Sequence, residues 1–498
     1  MLAPNLAGEP PSAAHDCNIS WLPYWISGHA TELIEVTTQV PLNETASWVC
    51  QRPRPAHWAG VAKGMRSAGE RLKDLPVARI VTAIDRVAAR WCDPYWSVRL
   101  AVRESVARAT GFSVAAVDRS FDLELRNYRA DSLWRALRRE LGDPSCLDRP
   151  ARNADLHGTA MAIGPDLVLA IFTGNVPGLP ALSMVRSLIV KAPVIAKVAS
   201  GEPSFAAAFA ASLAEELPAL GDALLVTYWD RDEPEVLAEV AAQADVVIAY
   251  GGDAAIHSVR QALPMGPRVI EHGHKLSLGY LGARYVERQS VASAAKAVAT
   301  DVAAFNQQAC IAPQAYFVQG SRRDAERIAA AIGEALAAEA RHCPVGGLRI
   351  ADAARVRLAR AQRHWHGSLH GSQEIWHDDA LEWTVLLGEQ LGVPDGIGHR
   401  VLRVIAVESL DQALDQIRPF GSYLQNVAVG CIDEGELAAA AASLAKIGAS
   451  RVCEPGRMAE PSMMWRHDGR TCIAELVRWC DIEMHAALHD KGAHEPTK

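Results

Sequence analysis

The sequence predicts an α/β protein that is built on a doubly wound parallel sheet. Between residues 167 and 270, five short apolar runs alternate with helical segments, as in sheets whose strands are buried on both faces. The chain has 498 residues, enough for about two to four domains. Its composition of 49% apolar and 22% charged residues is globular, which excludes a disordered or collagen-like chain.

The elements follow in a regular order. Residues 1–60 are rich in Pro, Asn and Thr and show no clear period, so we expect an irregular arm or a few strands. Apolar spacings of three and four predict helices from about residue 61 to 141. Five strands, with helices between them, are then predicted at 167–172, 194–197, 223–228, 245–250 and 267–270.

A second α/β region is predicted beyond residue 290. Helices are predicted at 292–305, 322–340, 410–417, 434–446 and 473–488. Strands are predicted at the segments AYFVQ, WTVLL, VLRVIAV and LQNVAV. The strand LQNVAV and the last helix are candidates for contacts between subunits.

Charge and cysteine usage narrow the class of protein. A net charge of −8 and a pI near 6.1, without long basic runs, argue against binding to nucleic acid or anionic membranes. The ten cysteines are scattered and form no CxxC pair, which favours reduced thiols. No signal peptide is recognisable, and the most apolar stretch is interrupted by Gly, Pro and Arg. We therefore expect a cytoplasmic protein without a membrane span.

The loops beyond the strand ends hold the candidate functional residues. Asn175 follows the first strand and is either a hydrogen-bond donor to an oxyanion or a turn residue. Cys310, in the segment QQACIAPQ, is either a catalytic nucleophile or a buried core thiol. Glu271 begins the segment EHGHK, which is an acid/base cluster or a polar loop. Gly251 and Gly252 bring a helix N-terminus to a phosphate, although the GxGxxG fingerprint is absent.

In their order and spacing these segments resemble the aldehyde dehydrogenase superfamily and, within it, the LuxC-type long-chain acyl-CoA reductases. The matching positions are Asn175, Lys197, Gly251-Gly252, Glu271/Gly273/Lys275 and Gln308/Cys310. The context QQACIAPQ, the histidines of EHGHK and the segment Trp465–Gly469 resemble the LuxC type in particular. The resemblance covers about residues 167–470.

The resemblance implies an aldehyde dehydrogenase-like fold with a Rossmann-like cofactor domain. It divides the chain into an N-terminal arm at 1–60, a cofactor-binding domain with N-terminal helices at 61–285 and a catalytic domain at 286–470. A helical C-terminal segment at 471–498 is expected to contact other subunits of a homo-oligomer. An acyl-protein synthetase or acyltransferase is an expected partner.

The implied reaction is the NADPH-dependent reduction of a fatty acyl-CoA or acyl thioester to the aldehyde. Cys310 would form an acyl-enzyme, Asn175 would hold the oxyanion and Glu271 would act as acid or base. Lys197 would bind the adenine ribose, and Gly251 and Gly252 the phosphates. Ser200 stands where many NAD-preferring relatives carry a glutamate, which favours NADPH and leaves NADH open.

Several alternatives stay open from the sequence. The enzyme could instead oxidise aldehydes, or it could be a cysteine acyltransferase or thioesterase without a nicotinamide cofactor. No metal is implied, because the histidines at 364, 366, 370 and 377 lack a clearly placed carboxylate and favour a surface role. The segment Trp465–Gly469 either lines a substrate tunnel or docks the C-terminal segment.

Overall fold

A computed structural model describes residues 25, 32–40, 43–153, 158–371, 374–392 and 396–483. The strands are β1 (Leu33–Val40), β2 (Asn43–Pro53), β3 (Ala151–Asn153), β4 (Gly158–Ile163), β5 (Val168–Ile171), β6 (Val194–Lys197), β7 (Leu224–Thr227), β8 (Val246–Tyr250), β9 (Arg268–His272), β10 (Leu276–Leu281), β11 (Pro313–Gln319), β12 (Ile375–His377), β13 (Thr384–Gly388), β14 (Val401–Val407), β15 (Leu424–Gly430), β16 (Arg451–Cys453) and β17 (Arg478–Glu483).

The helices are α1 (Trp58–Lys73), α2 (Val77–Trp91), α3 (Ser97–Thr110), α4 (Val114–Leu125), α5 (Ala130–Leu141), α6 (Pro180–Ile189), α7 (Ser204–Glu216), α8 (Pro218–Asp222), α9 (Pro234–Ala241), α10 (Asp253–Ala262), α11 (Ala283–Gln289), α12 (Val291–Ala303), α13 (Arg322–His342), α14 (Ile350–His370), α15 (Leu410–Ile417) and α16 (Glu434–Ile447). No helix of the described residues is long and apolar enough to cross a membrane.

The first sheet has five parallel strands in the order β7-β6-β5-β8-β9. Strands β5 to β8 are buried almost throughout, which explains their unbroken apolar runs, whereas the edge strand β9 is only partly buried. The chain runs outward from β5 to β7 and then returns to β8 on the other side. This reversal between β5 and β8 is the place where open parallel sheets bind ligands, and it brings the loops at 173–179 and 251–252 together.

The second sheet has seven strands in the order β12-β13-β14-β11-β10-β15-β16, all parallel except the edge strand β12. Its strand β10, with the sequence LSLGYL, was not among the predicted strands. Gly279 is required there, since a Cβ at this position would lie 2.1 Å from the Tyr316 ring of β11. The change of sheet therefore falls before β10, and the predicted boundary at 285/286 lies inside α11.

The N-terminal part covers the first sheet. Helices α1 to α5 pack against this sheet and against α6 and α7, where Trp91 contacts the rings of Phe121 and Phe205. The hairpin of β1 and β2 covers the edge beside β7. Its Trp48 ring meets the Tyr228 ring at 4.8 Å.

Two expectations for the C-terminal region are wrong. Over the described part of 473–488, the chain forms a turn and the strand β17, which pairs antiparallel with β4; residues 484–498 lie outside the described residues. Glu140 of α5 accepts hydrogen bonds from the backbone N–H groups of residues 472–474 and fixes the turn. Pairing with β4 then requires an extended backbone over residues 478–483, which excludes a helix there. The strand LQNVAV is the buried strand β15 between β10 and β16, so it presents no free face to another subunit.

Candidate active site

Two adjoining clefts lie between the two sheets. The glycine cleft, of about 400 Å³, is lined on the first-sheet side by residues 173–175, 199–201 and 252. The cysteine cleft, of about 410 Å³, contains Cys310 and is lined by residues of both halves of the chain. Both clefts share Thr173, Asn175, Gly252, Gln308, Arg349 and His399, so a ligand in one cleft borders a ligand in the other.

A left-handed turn delivers Cys310 to the cleft. After α12, Phe305, Asn306 and Gln307 have φ angles of 50°, 50° and 61°, a conformation that costs non-glycine residues about 1–3 kcal/mol each. Buried hydrogen bonds offset this cost. The Asn306 side chain donates to the Val345 carbonyl at 3.0 Å and accepts from Arg400 at 2.8 Å.

Gln307 ties the same turn to the second sheet. Its Nε2 donates to the carbonyls of Pro313 and Val401 at 2.7 and 2.8 Å, and its Oε1 accepts from the Val401 N–H at 2.7 Å. Ser277 of β10 also donates to the Cys310 carbonyl at 2.6 Å. The backbone around Cys310 is therefore held by three strands, β10, β11 and β14.

The thiol of Cys310 is accessible from the cleft and has two polar neighbours. Gln425 Nε2 of β15 donates to Sγ at 3.3 Å, and His467 Nε2 lies 3.9 Å from Sγ. The dense protein environment around the thiol raises the pKa of Cys310 to about 12, and the charges of Asp468 and Glu124 act in the same direction. The resting group is therefore a thiol, which needs a base before it can attack.

His272, His467 and Asp468 form a buried group next to this thiol. His272 Nδ1 and Asp468 Oδ2 are 2.7 Å apart, and the rings of His272 and His467 stack at 4.2 Å. Burial lowers the pKa of His467 well below its usual value, and burial also lowers the pKa of His272. Burial alone would raise the pKa of Asp468, but the His272 hydrogen bond and the histidine charges bring it below its usual value.

The loop after β5 contributes Asn175 to both clefts. Asn175 Nδ2 donates to the Gln308 carbonyl at 2.8 Å, and Thr173 donates to Asn175 Oδ1. One amide hydrogen of Asn175 is thus used to hold the loop that carries Cys310, which leaves the second amide hydrogen for a ligand.

Three of the predicted cofactor residues also line these clefts. Ser200 lines the glycine cleft, Gly252 lines both clefts and Gly251 lines the cysteine cleft. Ser200 is fixed through its carbonyl, which accepts a hydrogen bond from Trp48 Nε1 at 3.2 Å. The loops after β6 and β8 therefore meet at the glycine cleft.

Two other predicted residues are not brought to either cleft. Glu271 lies in β9, whose side chains alternate between faces: His272 faces the cysteine cleft, whereas Glu271 faces an outer groove and forms an ion pair with Arg260. Lys197 Nζ lies over the Tyr228 ring, 4.9 Å from its centroid, and burial lowers the pKa of Lys197 to about 8. Glu271 therefore does not line the cleft that contains Cys310.

The residues that contact Cys310 instead were missed as site residues. His467 and the adjacent Asp468 belong to the segment Trp465–Gly469. The sequence predicts for this segment only that it lines a substrate tunnel or docks the C-terminal segment. The unusual histidines of EHGHK were the second signal. Gln425 could have been suspected because a glutamine and an asparagine interrupt the otherwise apolar strand β15, and buried amides usually have a partner to satisfy.

The histidines at 364, 366, 370 and 377 line neither cleft. His366 Nδ1 is 2.7 Å from a Glu374 carboxylate oxygen, and His377 Nδ1 lies 3.2 Å from Arg360. Among the described residues, the group whose donor atoms all lie within 4.8 Å of one another is His272, His467 and Asp468.

The fold defines the broad class of this protein. Aldehyde dehydrogenase C from Pseudomonas syringae, solved with NAD⁺ and octanal, aligns with a TM-score of 0.68 and 15% sequence identity. The alignment covers 93% of this chain and 96% of that chain. At this identity the similarity shows the fold alone, and it confirms the predicted aldehyde dehydrogenase-like α/β architecture.

Sequence comparison defines the family. The family model described as acyl-CoA reductase (LuxC) matches residues 72–479, and the chain therefore belongs to this family. The prediction of an oxidoreductase of the acyl-CoA reductase type is confirmed at this level.

Two curated relatives are long-chain acyl-protein thioester reductases. The one from Photorhabdus luminescens is 25% identical over 437 residues, which cover 85% of this chain and 84% of the relative. The one from Photobacterium phosphoreum is 26% identical over 257 residues. This second alignment spans 51% of this chain and 51% of the relative, about half the length of each.

Proposed function

We propose that this protein reduces a fatty acyl thioester, carried by CoA or by a protein, to the aldehyde through an acyl group on Cys310, with NADPH as the cofactor. The observation that carries this proposal is the position of the thiol. Cys310 opens into a cleft that adjoins a second, glycine-lined cleft. An acyl group on Sγ would therefore border a dinucleotide bound next to it.

The glycine cleft fits a dinucleotide. No atom lies within 4 Å of the position that a Cβ would occupy at Gly201 or at Gly252, and both glycines line the cleft. A side chain at either position would fill space that the ligand needs. Gly252 is also the N-cap of α10, where backbone N–H groups favour phosphate. A nicotinamide cofactor bound there supplies the hydride.

Cofactor preference depends on Ser200. Its side chain replaces the carboxylate expected in an NAD-binding relative, so a 2′-phosphate would meet no repulsion at this position. Asp352, the acidic residue that lines the glycine cleft, is paired with Arg349 and Arg355. The ribose contact of Lys197 stays a prediction, because its ammonium group faces Tyr228.

The cysteine cleft suits an apolar acyl chain. Its apolar lining comes from Val176, Leu179, Leu182, Ile311, Met463 and Trp465. Burial of each methylene of a chain is worth about 0.8 kcal/mol, so chain length would be selected by how far this lining extends. This supports a fatty acyl substrate over a short polar one.

The chain's own residues support acyl transfer to Cys310. Sγ forms a thioester bond to the acyl carbon as the bond to the carrier sulfur breaks, and the carrier leaves as a thiol. The second amide hydrogen of Asn175 would stabilise the oxyanion, an effect worth about 3 kcal/mol. Gln425 Nε2, which already donates to Sγ, would stabilise the thiolate.

The relatives and the glycine cleft favour reduction over the alternatives. The curated relatives are named as acyl-protein thioester reductases, whereas oxidation of aldehydes would run in the opposite direction. A thioesterase or transferase reaction would leave the glycine cleft without a role. Reduction of the acyl group therefore fits the site better.

The test is aldehyde formation from a panel of acyl-CoAs with NADPH or NADH. We expect Cys310→Ser to abolish aldehyde formation, while Cys480→Ser, an exposed cysteine of β17, keeps the wild-type rate. Aldehyde formation by Cys310→Ser at the wild-type rate would refute the proposal.

A further inference from the structure

We propose that His467 is the general base that activates Cys310, and that Asp468 and His272 position it. This inference rests on the proposed function and deepens it. It replaces Glu271, the residue that the family resemblance assigns to acid/base work, with a residue that touches the reacting sulfur. His467 Nε2 lies 3.9 Å from Sγ, a distance typical of catalytic pairs that tighten when substrate binds.

The protonation states on both sides of this contact are those that a general base requires. Burial and the charge of His272 lower the pKa of His467 well below its usual value; Asp468 acts in the opposite direction, and Arg186 and Arg470 lower the pKa further. The imidazole is therefore neutral at pH 7. Burial, with the charges of Asp468 and Glu124, raises the pKa of Cys310 to about 12, while Lys275 acts weakly in the opposite direction. The thiol thus carries the proton and the imidazole is free to accept it.

Asp468 is placed to stabilise the imidazolium that would form. Its Oδ1 lies 4.0 Å from His467 Nε2 and has no hydrogen-bond partner among the described residues, while its Oδ2 is bound to His272. The Asp468 side chain is only 7% exposed, so its charge is poorly screened there. Asp468 has a left-handed backbone with φ of 54°, a strain of the kind that is kept at functional sites.

His467 can carry the proton through each step of the reaction. As Sγ attacks the acyl carbon, its proton moves to His467 Nε2. When the carrier sulfur leaves, His467 returns this proton to it, which releases a neutral thiol. Reduction of the acyl group would leave a thiohemiacetal anion on Cys310, which breaks to aldehyde and the Cys310 thiolate. One proton from solvent, passed through His467, then restores the thiol.

The sharpest test measures acylation alone, without NADPH. Wild-type protein is mixed with a medium-chain acyl-CoA in single-turnover experiments between pH 6 and 9.5, and the acyl adduct is measured by mass spectrometry. The proposal predicts a rate that is nearly independent of pH above the pKa of His467. In His467→Gln the acylation rate should fall by about 10²–10⁴-fold at pH 7. The rate of this variant should rise about tenfold for each unit of increasing pH, because only the fraction of Cys310 that has lost its proton to solvent reacts.

Controls separate a chemical role from a structural one. His342→Gln, an exposed histidine at the end of α13, should behave as wild type. Added imidazole should restore acylation in His467→Ala, a rescue that a misfolded protein would not show. In Asp468→Asn the acylation rate should fall less than in His467→Gln, and the plateau of its pH profile should shift because the imidazolium loses its counter-charge.

The outcomes distinguish the two proposals. If wild-type protein forms no acyl adduct on Cys310, the proposed function fails. If the wild type is acylated and His467→Gln retains both its rate and its flat pH profile, the base assignment is refuted while the proposed function stands. The base assignment is also refuted if the protein contains one equivalent of tightly bound zinc and if removing this zinc with a chelator raises the acylation rate. His467 would then be a zinc ligand.

Discussion

The turn before Cys310 yields a prediction that can be calculated from its hydrogen bonds. Gln307 is 1% exposed and makes three hydrogen bonds of 2.7–2.8 Å to residues 313 and 401. Gln307→Leu removes all three while preserving most of the volume. At about 1 kcal/mol per buried bond, the free energy of unfolding should fall by about 3 kcal/mol.

Urea unfolding followed by tryptophan fluorescence measures this change. Gln362→Leu on the exposed face of α14 is the matched control and should cost less than about 0.5 kcal/mol. Because the turn also positions Sγ, acylation of Cys310 in folded Gln307→Leu should slow at least about tenfold, as expected when a reacting group is misplaced. A loss of stability below about 1 kcal/mol, with normal acylation, would show that these hydrogen bonds do not hold the turn.

Three further substitutions test the two clefts. Ser200→Glu should weaken NADPH binding more than NADH binding, through repulsion of the 2′-phosphate; equal effects in a fluorescence titration would show that Ser200 does not face this phosphate. Gly252→Val should weaken both cofactors at least about tenfold, since its side chain would enter the glycine cleft, and unchanged binding would place the cofactor elsewhere. Glu271→Gln should leave Cys310 acylation within about threefold of wild type, because Glu271 faces Arg260; a loss like that of His467→Gln would contradict the observed orientation.

Much of the fold follows from local patterns. The strand Val194–Lys197 and the helix Leu410–Ile417 have the predicted bounds, because apolar spacing and capping residues such as Ser409 act over a few residues. Strand β10 and the turn at 473–477 depend on distant partners instead. Tyr316 explains the glycine of β10, and Glu140 fixes the position of the turn through the backbone N–H groups of the turn. No local pattern reveals either contact.

The site divides in the same way. Cys310, Asn175 and Gly252 could be predicted because each sits at a strand or helix end that the fold brings to one edge. The histidines near Cys310 could not, since β9 turns its side chains alternately to opposite faces, and only the three-dimensional register shows that His272, rather than Glu271, lines the cysteine cleft. His467 reaches Cys310 across 157 positions of sequence, a proximity that one sequence does not contain.

The central claim is an acyl group carried by Cys310 and then reduced, and intact-protein mass spectrometry tests it most directly. The protein is mixed with a series of acyl-CoAs of increasing chain length, and NADPH is added after the adduct has formed. We predict one acyl group per chain, mapped to Cys310, which disappears on addition of NADPH as an equal amount of aldehyde forms. An adduct on another cysteine, or one that is lost only as the free acid, would contradict the account.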